Sequence, residues 1–285
     1  MTETRYCYRH PDRETGLSCS ECGRPICYEC MTAAPVGLRC PEHSGKAQGL
    51  QKVTRAVSIQ AGRGVSVITI GLIAINVAVY LLELMDGGQV NGTGNTIFEK
   101  GALYGPLVHQ GDWWRLFTAA FLHYGPLHLA LNMYSLYWVG SVLETVIGPW
   151  RFLGLYVAAG LVGSAGALIA TPLAVTVGAS GAIFGILGAL YVLERRGHIA
   201  SGGQIAMLIV LNLVLTFAFS GFALGGHVTG LTISLGGHVG GLLGGVAVML
   251  AILQVRRSAV LSALAIAGVA VIGLVLAYIK VHTAY

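Results

Sequence analysis

The sequence predicts an all-α polytopic membrane protein with a small metal-binding module in front of it. Three observations carry this expectation. The chain is 55% hydrophobic and 10% charged, with a mean hydropathy of +0.72, whereas soluble domains carry about 25% charged residues. Its apolar residues fall in runs long enough to cross a bilayer as helices. All six cysteines lie between Cys7 and Cys40, ahead of the first apolar run. The net charge of +5 is small and sits mostly beside apolar runs, so it reads as a topology signal and no nucleic-acid partner is expected.

The module occupies residues 1–45. Its cysteines and histidines come in pairs: Cys7-x-x-His10, Cys19-x-x-Cys22, Cys27-x-x-Cys30 and Cys40-x-x-His43. A two-residue gap lets both ends of a tight turn face one metal, and thiolate with imidazole is a zinc ligand set. Eight ligands suffice for two tetrahedral ions. The competing reading, a disulfide framework, requires an oxidising compartment, and the topology below puts this end in the cytosol. The pattern resembles the B-box zinc fingers. That resemblance implies a cross-brace, with Cys7, His10, Cys27 and Cys30 at one zinc and Cys19, Cys22, Cys40 and His43 at the other. Spacing by itself is equally compatible with sequential pairing. A segment this short has little core, so metal supplies most of its folding free energy. Closed four-ligand sites are structural, and the expected role is binding a cytosolic protein partner. The polar, cysteine-rich start is no cleavable signal peptide, so the first span directs its own insertion. A basic linker, residues 46–63, follows with Lys46, Lys52, Arg55 and Arg63.

Residues 64–285 form the membrane domain. Seven spans are expected, near 65–84, 127–145, 152–170, 180–193, 205–219, 238–253 and 260–279, with a long loop, 85–126, after the first. The linker, Arg151, Arg195, Arg196, Arg256 and Arg257 all fall on one side, and the opposite loops carry few basic residues. By the positive-inside rule this predicts a cell-membrane protein with a cytosolic N-terminus and an extracytoplasmic C-terminus.

One stretch stands apart. Gly178-Ala179-Ser180-Gly181 sets a serine among residues of almost no volume at the start of a span. Small residues let another backbone or a substrate approach the hydroxyl. A soluble nucleophile elbow needs a preceding strand, and the flanks here are membrane-like. The simpler alternative is helix packing through Gly181-x-x-x-Gly185. From Leu193, beside the basic end, back to Ser180 is about 20 Å of helix, against about 30 Å of hydrocarbon. The serine therefore lies below the outer surface, in a pocket open to that side.

Other polar groups cluster at outer span ends. His238 sits in Gly236-Gly237-His238-Val239-Gly240-Gly241; His128 and Asn132 lie four apart on one helix face; His123 lies just before that span. Intramembrane polar groups tend to be functional. No aspartate lies within a span, so a Ser–His–Asp triad has no obvious third member. A dyad is expected: Ser180 attacks a carbonyl and His238 shuttles its proton. The Ser180 backbone N–H, Asn132 and His128 are candidate oxyanion donors.

From about residue 64 onward the chain resembles the rhomboid intramembrane serine proteases. The matching motifs are Trp114-Arg115, His123-x4-His128-x3-Asn132, Gly178-x-Ser180-Gly181, and His238 followed by Gly240-Gly241. The resemblance implies a six-helix core with a seventh C-terminal transmembrane helix. It implies Ser180 as nucleophile, His238 as base, and His128 and Asn132 in the oxyanion hole. Gly178 becomes the small residue before the serine, Phe184 the aromatic packed on the catalytic histidine, and His123 a supporting residue. Substrates become transmembrane proteins within the lipid bilayer, cleaved near the outer face where their helices fray. Glu144 and Gly148-x-x-Arg151-Phe152 also match. The alternative is a catalytically inactive rhomboid-like client-binding protein, but such relatives usually lose the serine or histidine. A transporter predicts internal repeats and charges within spans, and a metalloprotease predicts H-E-x-x-H, which is missing.

Overall fold

The computed structural model describes residues 5–33, 37–44, 66–90, 93–199, 201–219, 234–255 and 257–284. The chain divides into two compact units, Met1–Gly62 and Arg63–Tyr285. The expected basic linker lies outside the described residues.

In the first unit, two short strands, β1 (Thr32–Ala33) and β2 (Leu38–Arg39), pair antiparallel with Thr32 opposite Arg39. Three of the paired motifs close as tight turns by a backbone bond: His10 to Cys7, Cys30 to Cys27 and His43 to Cys40. Among the described residues of this unit, the buried apolar core consists of Ile26 and five cysteines. So small a core cannot hold a fold of this length by hydrophobic burial.

The second unit is helical and is built as a multi-pass membrane protein. Its first span, α1 (Val67–Met85), has no side-chain cap from Ser66. Glu144 from elsewhere in the chain fills that need: its carboxylate accepts from the Ile68 N–H (3.0 Å), the Thr69 N–H (2.8 Å) and the Thr69 hydroxyl (2.7 Å). An acid at a helix N-terminus also complements the macrodipole.

The long loop is more ordered than its sequence suggests. It contains α2 (Thr96–Gly101), α3 (Gly105–His109) and α4 (Arg115–Thr118), then a 3₁₀ turn over Ala119–Phe121. Asn95 caps α2 by accepting from the Phe98 N–H at 2.8 Å, and Pro106 stands in the first turn of α3. Buried Arg115 ties these pieces together. It donates to Asp112 and to the carbonyls of Glu99 and Ala102, while the Trp114 indole donates to the Lys100 carbonyl.

The second span runs unbroken from α5 (Gly125–Ser135) through a π-helical turn (Leu136–Gly140) into α6 (Ser141–Ile147). Then come α7 (Pro149–Ala170), α8 (Ser180–Arg195), α9 (Gln204–Phe219), α10 (Leu235–Val255) and α11 (Ala259–Ala284). Four described helices, α1, α7, α10 and α11, are each long and apolar enough to cross a bilayer. α8 is the centre, with every residue from Ala182 to Leu190 buried. Its 16 residues make about 24 Å of helix, shorter than the hydrocarbon layer.

Glycine brings α8, α10 and α7 together. A Cβ on Gly241 or Gly245 would collide with the carbonyl of Gly181 or Gly185, and one on Gly185 with Ala159. The Gly181-x-x-x-Gly185 pair is thus a packing face as well as the flank of Ser180. The seventh helix, α11, lies along α7, with Gly273 against Val162 and Ile266 against Gly154. Trp113 of the long loop stacks on its Tyr278 at 6.0 Å.

The sixth span starts one turn earlier than the sequence suggests. The Ser234 hydroxyl accepts from the Gly237 N–H at 3.1 Å, and its carbonyl accepts from the His238 N–H. Ser234 therefore acts as the N-cap, and His238 lies inside the first turn of α10 instead of opening it.

Candidate active site and metal sites

Ser180 is the first residue of α8 and is half-buried. The non-helical segment before it is pinned to the long loop. Leu103 and Thr176 exchange backbone bonds, and the Gly178 N–H donates to the Ala119 carbonyl at 2.8 Å. Gly178 takes φ +119, a region open to glycine. A Cβ there would stand 2.8 Å from Cε1 and 2.9 Å from Nε2 of His128, and 3.9 Å from Nδ2 of Asn132. Both candidate oxyanion donors therefore converge beside Gly178, two residues before the serine.

Their orientation has local causes. Asn132 is one turn after His128 and donates to the His128 carbonyl at 3.0 Å. The Tyr124 N–H donates to His128 Nδ1 at 3.3 Å. With Nδ1 accepting, the ring proton of the neutral imidazole sits on Nε2, the nitrogen that faces Gly178. The Ser180 N–H, at the first helical position, has no acceptor within its own helix.

His238 comes from α10 and is 6% exposed. Its Nε2 lies 2.8 Å from Ser180 Oγ, although 58 residues separate them. Phe184, one turn after Ser180 on the same face of α8, stacks on the His238 ring with centroids 4.2 Å apart and planes at 20°. His123 is fully buried behind His128, ring centroids 5.1 Å apart, and neither of its nitrogens has a hydrogen-bond partner. It does not bond the serine.

One contact was missed in the sequence. Thr216 of α9 bonds His238 Nδ1 at 2.7 Å. The signal was Asn212-x-x-x-Thr216, two polar residues one turn apart in an otherwise apolar span.

In the first unit, Cys7, His10, Cys27 and Cys30 form one cluster and Cys19, Cys22, Cys40 and His43 a second, with the ligand atoms of each within 4.8 Å of one another. His10 Nδ1 lies 3.4 Å from the sulfurs of Cys27 and Cys30 and 3.8 Å from that of Cys7. Tetrahedral zinc, with its usual bond lengths, spaces sulfur and nitrogen by roughly 3.5 Å. All six thiols are free. Burial pushes the Cys7 thiol up, but the N–H groups of Cys27, Arg9 and His10, joined by the His10 ring, outweigh it and hold the thiol at about 6. The Cys30 thiol, buried beside the other two sulfurs, is pushed up to about 11. The cluster thus favours the thiolate at Cys7 and opposes it at Cys30, and a divalent cation bound there would favour the thiolate at every sulfur. The donor set, spacing and charge fit a bound metal at both places.

Comparison with known proteins identifies the family of the second unit. Residues 110–255 match the family described as Rhomboid domain. Rhomboid protease GluP of Bacillus subtilis is 39% identical over 185 residues, 64% of this chain and 36% of GluP. The YdcA protein of the same organism is 36% identical over 129 residues, 44% of this chain and 65% of YdcA. Inactive RHOMBOID-like protein 8 of Arabidopsis thaliana is 26% identical over 138 residues, 48% of this chain and 39% of that protein. The chain spans less than two thirds of the length of each of these relatives.

Proposed function

The chain belongs to the rhomboid family, and on that premise we propose that it is an intramembrane serine endopeptidase working through a Ser180–His238 dyad. The observation that carries this reading is the 2.8 Å hydrogen bond between His238 Nε2 and Ser180 Oγ. A serine hydroxyl is a weak nucleophile until an adjacent base takes its proton. Ser180 Oγ attacks the scissile carbonyl while His238 Nε2 accepts the proton. The carbonyl oxygen becomes an oxyanion held by the Ser180 N–H, Asn132 Nδ2 and His128 Nε2. His238 then gives its proton to the leaving amine, and water releases the acyl group by the same route in reverse. Gly178 keeps the space beside His128 open, and Phe184 braces the His238 ring.

The substrates on this reading are transmembrane proteins whose helices fray near the outer membrane face. Fraying is required because an intact helix hides its carbonyls in its own hydrogen bonds. The distribution of Lys and Arg supports a cytosolic N-terminus and an extracytoplasmic C-terminus in the cell membrane. Residues 64–285 are the protease domain, 46–63 a basic linker, and 1–45 a module binding two zinc ions and a cytosolic protein partner. The thiolate-rich, four-ligand donor sets support zinc as the ion.

An inactive relative exists in this family, so activity needs its own test. A single-span test substrate is incubated with detergent-solubilised protein. Cleavage by the wild type and none by Ser180→Ala supports the protease. A folded wild type that binds such substrates but cleaves none supports the client-binding alternative.

A further inference from the structure

The mechanism above leaves Thr216 without a role, yet it is the best-placed polar side chain behind His238. Among the described side chains of α9 only Ile209 and Thr216 are buried, and Thr216 is 2% exposed. Its hydroxyl makes two short bonds. It donates to the Asn212 carbonyl one turn earlier at 2.7 Å, and it lies 2.7 Å from His238 Nδ1.

A hydroxyl has one proton and two lone pairs. With its proton on the Asn212 carbonyl, Thr216 Oγ1 can only accept from His238. The imidazole proton then sits on Nδ1, and Nε2 faces Ser180 Oγ as a free base. We propose that Thr216 is a positioning residue: it holds His238 in the Nδ1–H tautomer and in the rotamer that reaches Ser180, the place a carboxylate takes in a Ser–His–Asp triad. This rests on the dyad reading for its kinetic consequence, though not for the tautomer itself.

The chemistry explains why a hydroxyl serves here. An ionised carboxylate in the hydrocarbon region is costly to desolvate. A neutral acceptor orients the ring without that cost, at the expense of the charge stabilisation that a carboxylate gives to the imidazolium. Phe184 on the ring face compensates in part, because an imidazolium is attracted to an aromatic face. Losing the orienting carboxylate of a soluble triad costs about 10⁴-fold in turnover. Thr216 contributes orientation without charge, so a smaller effect is expected.

The test uses the full chain in detergent and three proteins: wild type, Thr216→Val and Thr216→Ser. Valine keeps the shape and removes the hydroxyl; serine keeps the hydroxyl. Nitrogen-15 NMR of labelled histidine, with His238 assigned by the resonance lost in His238→Ala, reads the tautomer. Turnover and KM for the single-span substrate read the consequence. The expected result is an Nδ1–H tautomer in wild type and Thr216→Ser, and a mixture in Thr216→Val. Turnover falls roughly tenfold to a hundredfold in Thr216→Val with KM unchanged, and Thr216→Ser restores most of it. If Thr216→Val keeps both the tautomer and the wild-type rate, the proposal is overturned. It is also overturned if valine and serine lower turnover and melting temperature alike, since that describes packing. A wild type that cleaves nothing, but whose Nδ1–H tautomer depends on the Thr216 hydroxyl, refutes the protease reading and leaves the orienting role standing.

Discussion

Replacing Gly178 with alanine puts one methyl group between the backbone before Ser180 and the side chains of His128 and Asn132, the proposed oxyanion donors. The added Cβ would lie 2.8 Å from Cε1 and 2.9 Å from Nε2 of His128. Carbon contacts are comfortable near 3.5–4.0 Å, so the ring or the segment must retreat by more than half an ångström. The backbone also sits at φ +119, which costs a side-chain-bearing residue about 1–3 kcal/mol. The Gly178 N–H is held to Ala119 and the following residue is fully buried, so the backbone has little room and the ring moves. Misplacing a catalytic group by about 1 Å costs roughly a hundredfold; half that displacement predicts a turnover loss between about tenfold and a hundredfold. The assay is turnover of a single-span substrate, with a melting temperature measured in parallel. Gly160→Ala is the control, because a Cβ there meets only the Ala182 methyl at 3.6 Å, an ordinary contact. A Gly178→Ala protein that folds and turns over as wild type would refute the reasoning.

Two further outcomes follow from contacts elsewhere. Glu144→Ala removes an acceptor shared by three donors at the start of α1 and should destabilise the membrane unit by about 1–3 kcal/mol; an unchanged unfolding midpoint in a detergent–denaturant titration argues against the cap. Elemental analysis of the purified chain should find about two zinc ions, and Cys27→Ser should lower that to about one by breaking a single cluster; fewer than about 1.5 ions in the wild type contradicts two sites.

The parts of the fold legible in the sequence are those governed by composition over long windows. Seven apolar runs became helices because a bilayer leaves the backbone no other way to satisfy its hydrogen bonds. Ser180, His238, His128 and Asn132 stood out because polar groups are scarce there and glycine was crowded around two of them. The helices of the long loop were not legible. They are short, and Arg115 holds them through the carbonyls of Glu99 and Ala102, contacts between residues 13 to 16 apart. The π turn in the second span has no local sequence mark either. The role of Thr216 is not legible, because a threonine in an apolar helix ordinarily bonds its own preceding turn, which it also does here. The pairing of the cysteine motifs was open to spacing alone; the arrangement of first with third and second with fourth depends on how the turns fold back on one another.

The central claim is that His238 activates Ser180, and covalent labelling tests it most directly. A fluorophosphonate probe reacts with an activated serine and slowly with an ordinary hydroxyl. The detergent-solubilised full chain is labelled, digested and mapped by mass spectrometry alongside Ser180→Ala and His238→Ala. Ser135, Ser141, Ser164 and Ser234 lie in or beside spans and serve as internal controls. The account predicts label on Ser180 alone in the wild type, none in Ser180→Ala, and nearly none in a folded His238→Ala. Label on another serine, or equal label on Ser180 without His238, would contradict it.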